Sequence, residues 1–174
     1  MSASVEIVRY SPDWPAKFEA EKQALLSVLS PWLVGEIQHV GSTAVAGLSA
    51  KPIIDIMAPV SSLLESEAAI ASAVAAGYSY YPYRADVMHW FCKPSPDVRT
   101  HHLHLVPYGS ELWLDRLAFR DALRKNQALA DEYASLKLRL ARQFPDDREA
   151  YTQGKTPFVH RVLSNVRPEK SNAT

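Results

Sequence analysis

The chain has 174 residues, 47% of them hydrophobic and 22% charged, with 19 Lys and Arg balanced by 19 Asp and Glu. This is the size and composition of one globular domain with its own core, not of a disordered chain. The zero formal net charge excludes the basic surplus that a non-specific nucleic-acid binder needs, though not a local basic cleft.

Cys92 is the single cysteine, so no intrachain disulfide can form and a reducing, cytoplasmic compartment fits. Met1 to Tyr10 lacks the basic-then-apolar pattern of a signal peptide. The least charged stretch, 68–83, is broken by Gly77 and Pro82 and is too short and polar to span a membrane.

In chain order, 5–8 reads as a short edge strand. Asp13 reads as a helix N-cap with Pro15 in the first turn, and Phe18, Leu25, Leu26 and Leu29 form the apolar face of a helix ending before Pro31. A short strand at 37–40 leads into a loop of small residues, 41–51. The segment 52–60 is a strand, apolar apart from Asp55, as expected when both faces are buried. Ser62 and Glu65 have capping-box spacing for an Ala-rich helix ending near Gly77. Strands are expected at 78–83, 88–92 and 100–106. Helices are expected at 110–125, 127–143 and 147–164, with Ser110, Asn126 and Asp146 as caps. The order defines one α+β domain over 1–167, a short mixed sheet packed with helices and a helical C-terminal third, followed by a polar tail at 168–174.

The residues able to do chemistry fall in three places. Gly41-Ser42, leaving a strand, offers backbone N–H groups and a hydroxyl to a phosphate, although most such pairs are simple turns. Asp55 lies inside an apolar strand, where a carboxylate must be ion-paired, hydrogen-bonded or metal-bound. In Arg99-Thr100-His101-His102-Leu103-His104, strand alternation puts His102 and His104 on one face, where they can share a metal or a phosphate or stand as ordinary hydrogen-bonded side chains. Gly154-Lys155-Thr156 has the ending of a P-loop but lacks its first glycine, since position 149 is Glu, so a P-loop is rejected.

Gly-Ser followed by an acidic strand resembles the nucleotidyltransferase signature, in which the Gly-Ser loop holds a triphosphate and two acids hold divalent metal. The second acid position here is Met57, so one usual metal ligand is missing. The longer string His39-Val40-Gly41-Ser42-Thr43-Ala44-Val45-Ala46-Gly47-Leu48-Ser49-Ala50-Lys51-Pro52-Ile53-Ile54-Asp55-Ile56 resembles the GrpB family. So do Val8 to Pro15, Arg99 to His104, Leu117 to Asp121, Tyr133 to Lys137, and Tyr151 to Lys155 with Phe158. Ala46 stands where that family usually has Pro, and 84–97 departs from its Gly- and Arg-rich run.

The resemblance implies a nucleotidyltransferase-like fold and a cleft bearing Gly41, Ser42, Asp55 and the histidines, but gives no substrate. The activity expected of these residues is that of a metal-dependent enzyme moving a nucleotidyl or phosphoryl group from a nucleoside triphosphate to a small-molecule acceptor. On that reading Asp55, His102 and His104 are catalytic and ligate Mg²⁺ or Mn²⁺, or alternatively Zn²⁺. Gly41 and Ser42 hold phosphate, and Lys51, Arg99 and Lys155 offset its charge. His39 or one of the paired histidines is a candidate general base. Two rivals stand beside it. One is a non-catalytic nucleotide-binding or folding-helper module, as in the fusions of this domain to dephospho-CoA kinases. The other is ATP-dependent ligation on the same fold. Neither nucleic acid nor membrane is expected as a partner.

Overall fold

A computed structural model describes residues 4–168. Helix α1 (Trp14–Leu29) is followed by strands β1 (Gln38–Val40) and β2 (Ile54–Val60), helix α2 (Ala69–Ala75) and strands β3 (Ser79–Tyr81), β4 (His89–Pro94) and β5 (Arg99–Pro107). Helices α3 (Glu111–Lys125), α4 (Gln127–Gln143), α5 (Arg148–Gly154) and α6 (Thr156–Val166) complete the α+β fold. The sheet order is β1-β2-β5-β4-β3. Only β2 and β5 run parallel; the other neighbours are antiparallel.

Alternation along β2 fixes the two sides of the sheet. Ile54, Ile56, Ala58 and Val60 pack with Leu103 and Leu105 of β5 against α1 and α2, in a core that includes Leu25, Leu29, Ala69 and Ala73. Met57, on the other side, joins Val40, Met88, Trp90, Cys92, Val106 and Trp113. Each fully buried aliphatic contributes about 1.5–3 kcal/mol. A one-residue slip of β2 would exchange its two faces, so burial of Ile54 and Ile56 holds Asp55 on the second side. The C-terminal helices cover part of that side. Val45 and Leu48 of the loop after β1 pack with Leu123, Ala130, Tyr133, Phe158 and Val162.

Several expectations are corrected. The segment 5–8 forms no strand; Val8 makes one isolated bridge to Ala50, and the Val5 N–H bonds Pro145 O at 2.7 Å, tying the segment to the C-terminal helices. Asp13 stands at the N-cap of α1 but with helical φ/ψ, and its side chain makes no capping bond. Half of the capping box forms: Ser62 Oγ accepts the Glu65 N–H at 3.1 Å, while the Glu65 carboxylate takes the Ser61 hydroxyl at 2.5 Å. The regular helix therefore begins only at Ala69.

The single helix expected at 147–164 is two. Pro157 lacks an N–H and its ring would meet the carbonyl four residues back, so α5 ends at Gly154 and α6 starts afresh. Asp147, not Asp146, caps α5 by accepting the Ala150 N–H at 2.9 Å. Ser110 and Asn126 cap α3 and α4 as expected. The expected polar tail, apart from Pro168, lies outside the described residues. Among the described residues no helix is long and apolar enough to cross a membrane.

Candidate functional site

The register of the central strands assembles the floor of a cleft. Asp55 pairs with His102 and Met57 with His104 across the parallel β2–β5 ladder, and Val40 of β1 stands beside Asp55. Asp55, His102 and His104 thus share one face. Asp55 Oδ1 lies 2.9 Å from His102 Nδ1 and 3.7 Å from His104 Nε2. Each of the three offers a ligand atom, and those atoms lie within 4.8 Å of one another. His104 is 4% exposed, whereas the Asp55 side chain keeps 29% exposure toward the cleft.

The electrostatics follow from this geometry. Burial pushes the Asp55 carboxyl up, but the hydrogen bond from His102 Nδ1 and the polar ring of His104 beside it outweigh burial and hold the group well below the usual carboxylate range. Burial, with Arg116 nearby, depresses His104 to about 3, so it stays neutral. His104 Nδ1 lies 3.5 Å from Met88 Sδ, and this contact turns Nε2 toward Asp55. The Nε2 atoms of His102 and His104 are buried with no hydrogen-bond partner. Such groups cost about 1–3 kcal/mol each when left unpaired. A divalent metal would satisfy donors of this kind, so the residues present fit one.

Gly41 closes the site from above. Its φ is +71°, a conformation L side chains rarely adopt, and a Cβ there would lie 2.5 Å from Asp55 Oδ2. Ser42–Ala44 is a 3-10 turn. Its own bonds begin with the N–H groups of Ala44 and Val45, so those of Ser42 and Thr43 precede the turn's ladder. Thr43 Oγ1 donates to Ile53 O at 3.1 Å and accepts from His39 Nε2 at 3.0 Å, bracing the turn from below.

The cleft has a volume of about 600 Å³. Its lining includes Gly41, Ser42, Asp55 and His102, with Lys51, Lys137 and Lys155 on one wall and Tyr81, Tyr83, Trp90 and Arg99 among its other residues. Lys51 and Lys155 lie over the Tyr151 ring, 5.1 and 4.6 Å from its centroid, and Lys137 lies 4.9 Å from that of Tyr133. Among the described residues none of the three lysines is within 4.0 Å of a carboxylate oxygen. Burial lowers all three, and nearby positive charge adds to it, from Arg148 and Arg99 at Lys51 and from the neighbouring lysines at the other two: Lys137 falls to about 7 and Lys155 to about 8, with Asp55 pulling Lys51 and Lys155 back up.

The expected residues Gly41, Ser42, Lys51, Asp55, Arg99, His102 and Lys155 all line this cleft, with His104 buried beneath it. His39 does not belong there. It alternates to the other face of β1, stacks on Phe18 at 4.6 Å, and is depressed to about 4 chiefly by burial, so it is a brace for the turn and not a general base. Lys137, Arg116, Arg148 and Tyr151 join the site without having been read as its members. Lys137 had a signal. It occupies an apolar position of α4 with Ala130, Tyr133 and Leu140 and is 2% exposed, and only a lysine with a partner inside is placed so. Its Nζ donates to Ser49 O at 2.5 Å. Arg116 and Arg148 had no comparable mark, because both sit in ordinary charged helical segments.

The model of the GrpB protein family matches residues 4–165, and the chain belongs to that family. A UPF0157 protein of Pseudomonas aeruginosa is 40% identical over 167 residues, covering 93% of this chain and 67% of its own length. The crystal structure of the conserved protein GrpB from Enterococcus faecalis superposes with a TM-score of 0.84 at 31% identity, covering 96% of this chain and all of that one. Two further solved structures share the fold alone. One is the GLD-2/RNP-8 complex, with a TM-score of 0.61 at 11% identity over 95% of this chain and 67% of its own. The other is a cytoplasmic RNA terminal U-transferase, with a TM-score of 0.51 at 13% identity over 75% of this chain and 41% of its own. The fold is nucleotidyltransferase-like.

Proposed function

We propose that the chain is a metal-dependent transferase that moves a nucleotidyl or phosphoryl group from a nucleoside triphosphate to a small-molecule acceptor. One observation carries the reading: the Asp55–His102–His104 cluster forms the floor of a cleft whose wall holds three lysines with no carboxylate partner among the described residues. A metal centre beside lysines that no described carboxylate neutralises suits a ligand of several negative charges, and a polyphosphate is the natural one.

Asp55, His102 and His104 would hold the metal, which when bound supplies charge neutralisation for phosphate oxygens. The N–H groups of Ser42 and Thr43 would bind a phosphate oxygen as the first turn of a helix does. Lys51, Lys137 and Lys155 would take the charge of the phosphate chain, and Arg99, seated 5.2 Å over the Trp90 ring, would add to it from a fixed position. The low pKa of Asp55 keeps a carboxylate available across the physiological range.

A second reading is favoured by Met57. It is 0% exposed at the second acid position, beside His104 in the ladder and packed among apolar neighbours. A binding or folding-helper module that retains the cleft without turnover fits that substitution. Incubating the protein with ATP labelled at the α- or γ-phosphate, Mn²⁺ or Zn²⁺, and a fractionated small-metabolite pool separates the two. Transfer of label to a small molecule, lost in Asp55→Asn, supports the transferase. Tight metal-dependent nucleotide binding with no label moved from any fraction supports the module.

A further inference from the structure

We infer that the Asp55–His102–His104 site selects a first-row transition-metal ion of the zinc or cobalt type over Mg²⁺. The inference rests on the reading that these three residues hold a metal, and it departs from the magnesium expected of a two-acid nucleotidyltransferase site.

Donor chemistry comes first. Mg²⁺ demands near-octahedral oxygen coordination and is commonly held by one or two carboxylates with several waters. Imidazole nitrogens suit Zn²⁺, Fe²⁺, Co²⁺ and Ni²⁺. The cluster here supplies two imidazoles and one carboxylate. Among the described residues no further Asp, Glu, His or Cys joins it, and the nearest structural equivalent of a second acid, Met57, is fully buried in an apolar patch with Val40, Met88 and Trp90. An oxygen-seeking ion would find one protein oxygen donor residue in this cluster. A nitrogen-seeking ion would find a nearly complete set.

The groups around the two rings point the same way. A metal-binding histidine ordinarily donates its other ring N–H to an acceptor that fixes its tautomer. His104 Nδ1 lies 3.5 Å from Met88 Sδ, and its Nε2 faces Asp55 Oδ1 at 3.7 Å. That Nε2, like the Nε2 of His102, has no hydrogen-bond partner and is shielded from solvent. Burying an unpaired ring nitrogen is unfavourable, and a coordinated ion removes that penalty. His101, one residue away on the opposite face, shows the contrast: its Nδ1 lies 2.9 Å from Thr100 Oγ1 and its Nε2 4.0 Å from Glu21.

Metal-stripped full-length protein is titrated with Co²⁺ and followed by visible absorption, which reports nitrogen coordination and not activity. The inference expects one equivalent of Co²⁺ to bind with ligand-field bands, to be displaced by stoichiometric Zn²⁺, and to survive a large molar excess of Mg²⁺. His104→Gln, checked for folding by its melt, should lower Co²⁺ affinity at least about 10-fold. Displacement of Co²⁺ by Mg²⁺, or Co²⁺ affinity unchanged in His104→Gln, overturns the inference while leaving a metal-dependent transferase standing. Absence of any bound divalent ion in the wild-type protein overturns both.

Discussion

Gly41 and Asp55 occupy the same space in turn: a Cβ on residue 41 would sit 2.5 Å from Asp55 Oδ2 and 3.0 Å from its Cβ, so the turn approaches the carboxylate only because position 41 has no side chain. The same residue has φ +71°, so the approach and the backbone conformation require glycine independently.

Gly41→Ala should therefore reduce stability by about 1–3 kcal/mol through the strained backbone alone. It should also push the Asp55 carboxylate out of line with His102. The expected result is a lowered melting temperature together with loss of metal-dependent nucleotide binding. A variant that melts and binds like wild type would show that the turn and the carboxylate do not depend on each other.

Lys137→Met separates stability from binding. Burial lowers the folded-state pKa of Lys137 to about 7 from an unfolded value near 10.4, so the unfolded chain holds more protons between those values. Stability tied to this group therefore rises with pH over that range, and at pH 7 to 8 the lysine is a burden to the fold. The variant should melt no lower than wild type by more than the lost Ser49 hydrogen bond, about 1 kcal/mol, while polyphosphate affinity falls about 10-fold or more. Stability and affinity falling together, with the melt down by many degrees, would assign Lys137 a structural role.

Acid should destabilise the fold through its buried histidines. His104 and His39 are depressed to about 3 and about 4, chiefly by burial, against an unfolded value near 6.5. The unfolded chain binds more protons in that window, so stability is full above about pH 6.5 and falls as pH drops toward 4, by up to about 1.4 kcal/mol per pH unit for each group. Urea melts between pH 7 and 4 measure it, and His39→Gln should reduce the slope. A flat profile to pH 5 would contradict the burial of these rings in neutral form.

Much of this site was legible because alternation in a strand is rigid. Two histidines separated by one residue must share a face, and Asp55 flanked by Ile54 and Ile56 must point away from their core. The pairing of β2 with β5 was not legible, since it joins residues 47 apart along the chain through the parallel ladder. The lysine wall was half seen. Lys51 and Lys155 stand in motifs, but Lys137 enters only because α4 packs its apolar stripe over the cleft. The break between α5 and α6 was written in Pro157, and it sets Lys155 at the junction beside Tyr151.

The central claim is that Asp55 anchors a metal-dependent nucleotide site, and calorimetric titration of wild type and Asp55→Asn with ATP, in Mn²⁺ or Zn²⁺ and again in a chelator, tests it most directly. Asn can still accept the His102 Nδ1–H bond, so the fold should persist and the ligand-free melt should stay near wild type. Wild type should gain affinity when metal is present. The variant should lose that gain entirely, while its chelator-state binding stays level or strengthens, because the negative charge that faces Lys51 and Lys155 is gone. An equal metal-dependent gain in Asp55→Asn, or none in wild type, would contradict the account.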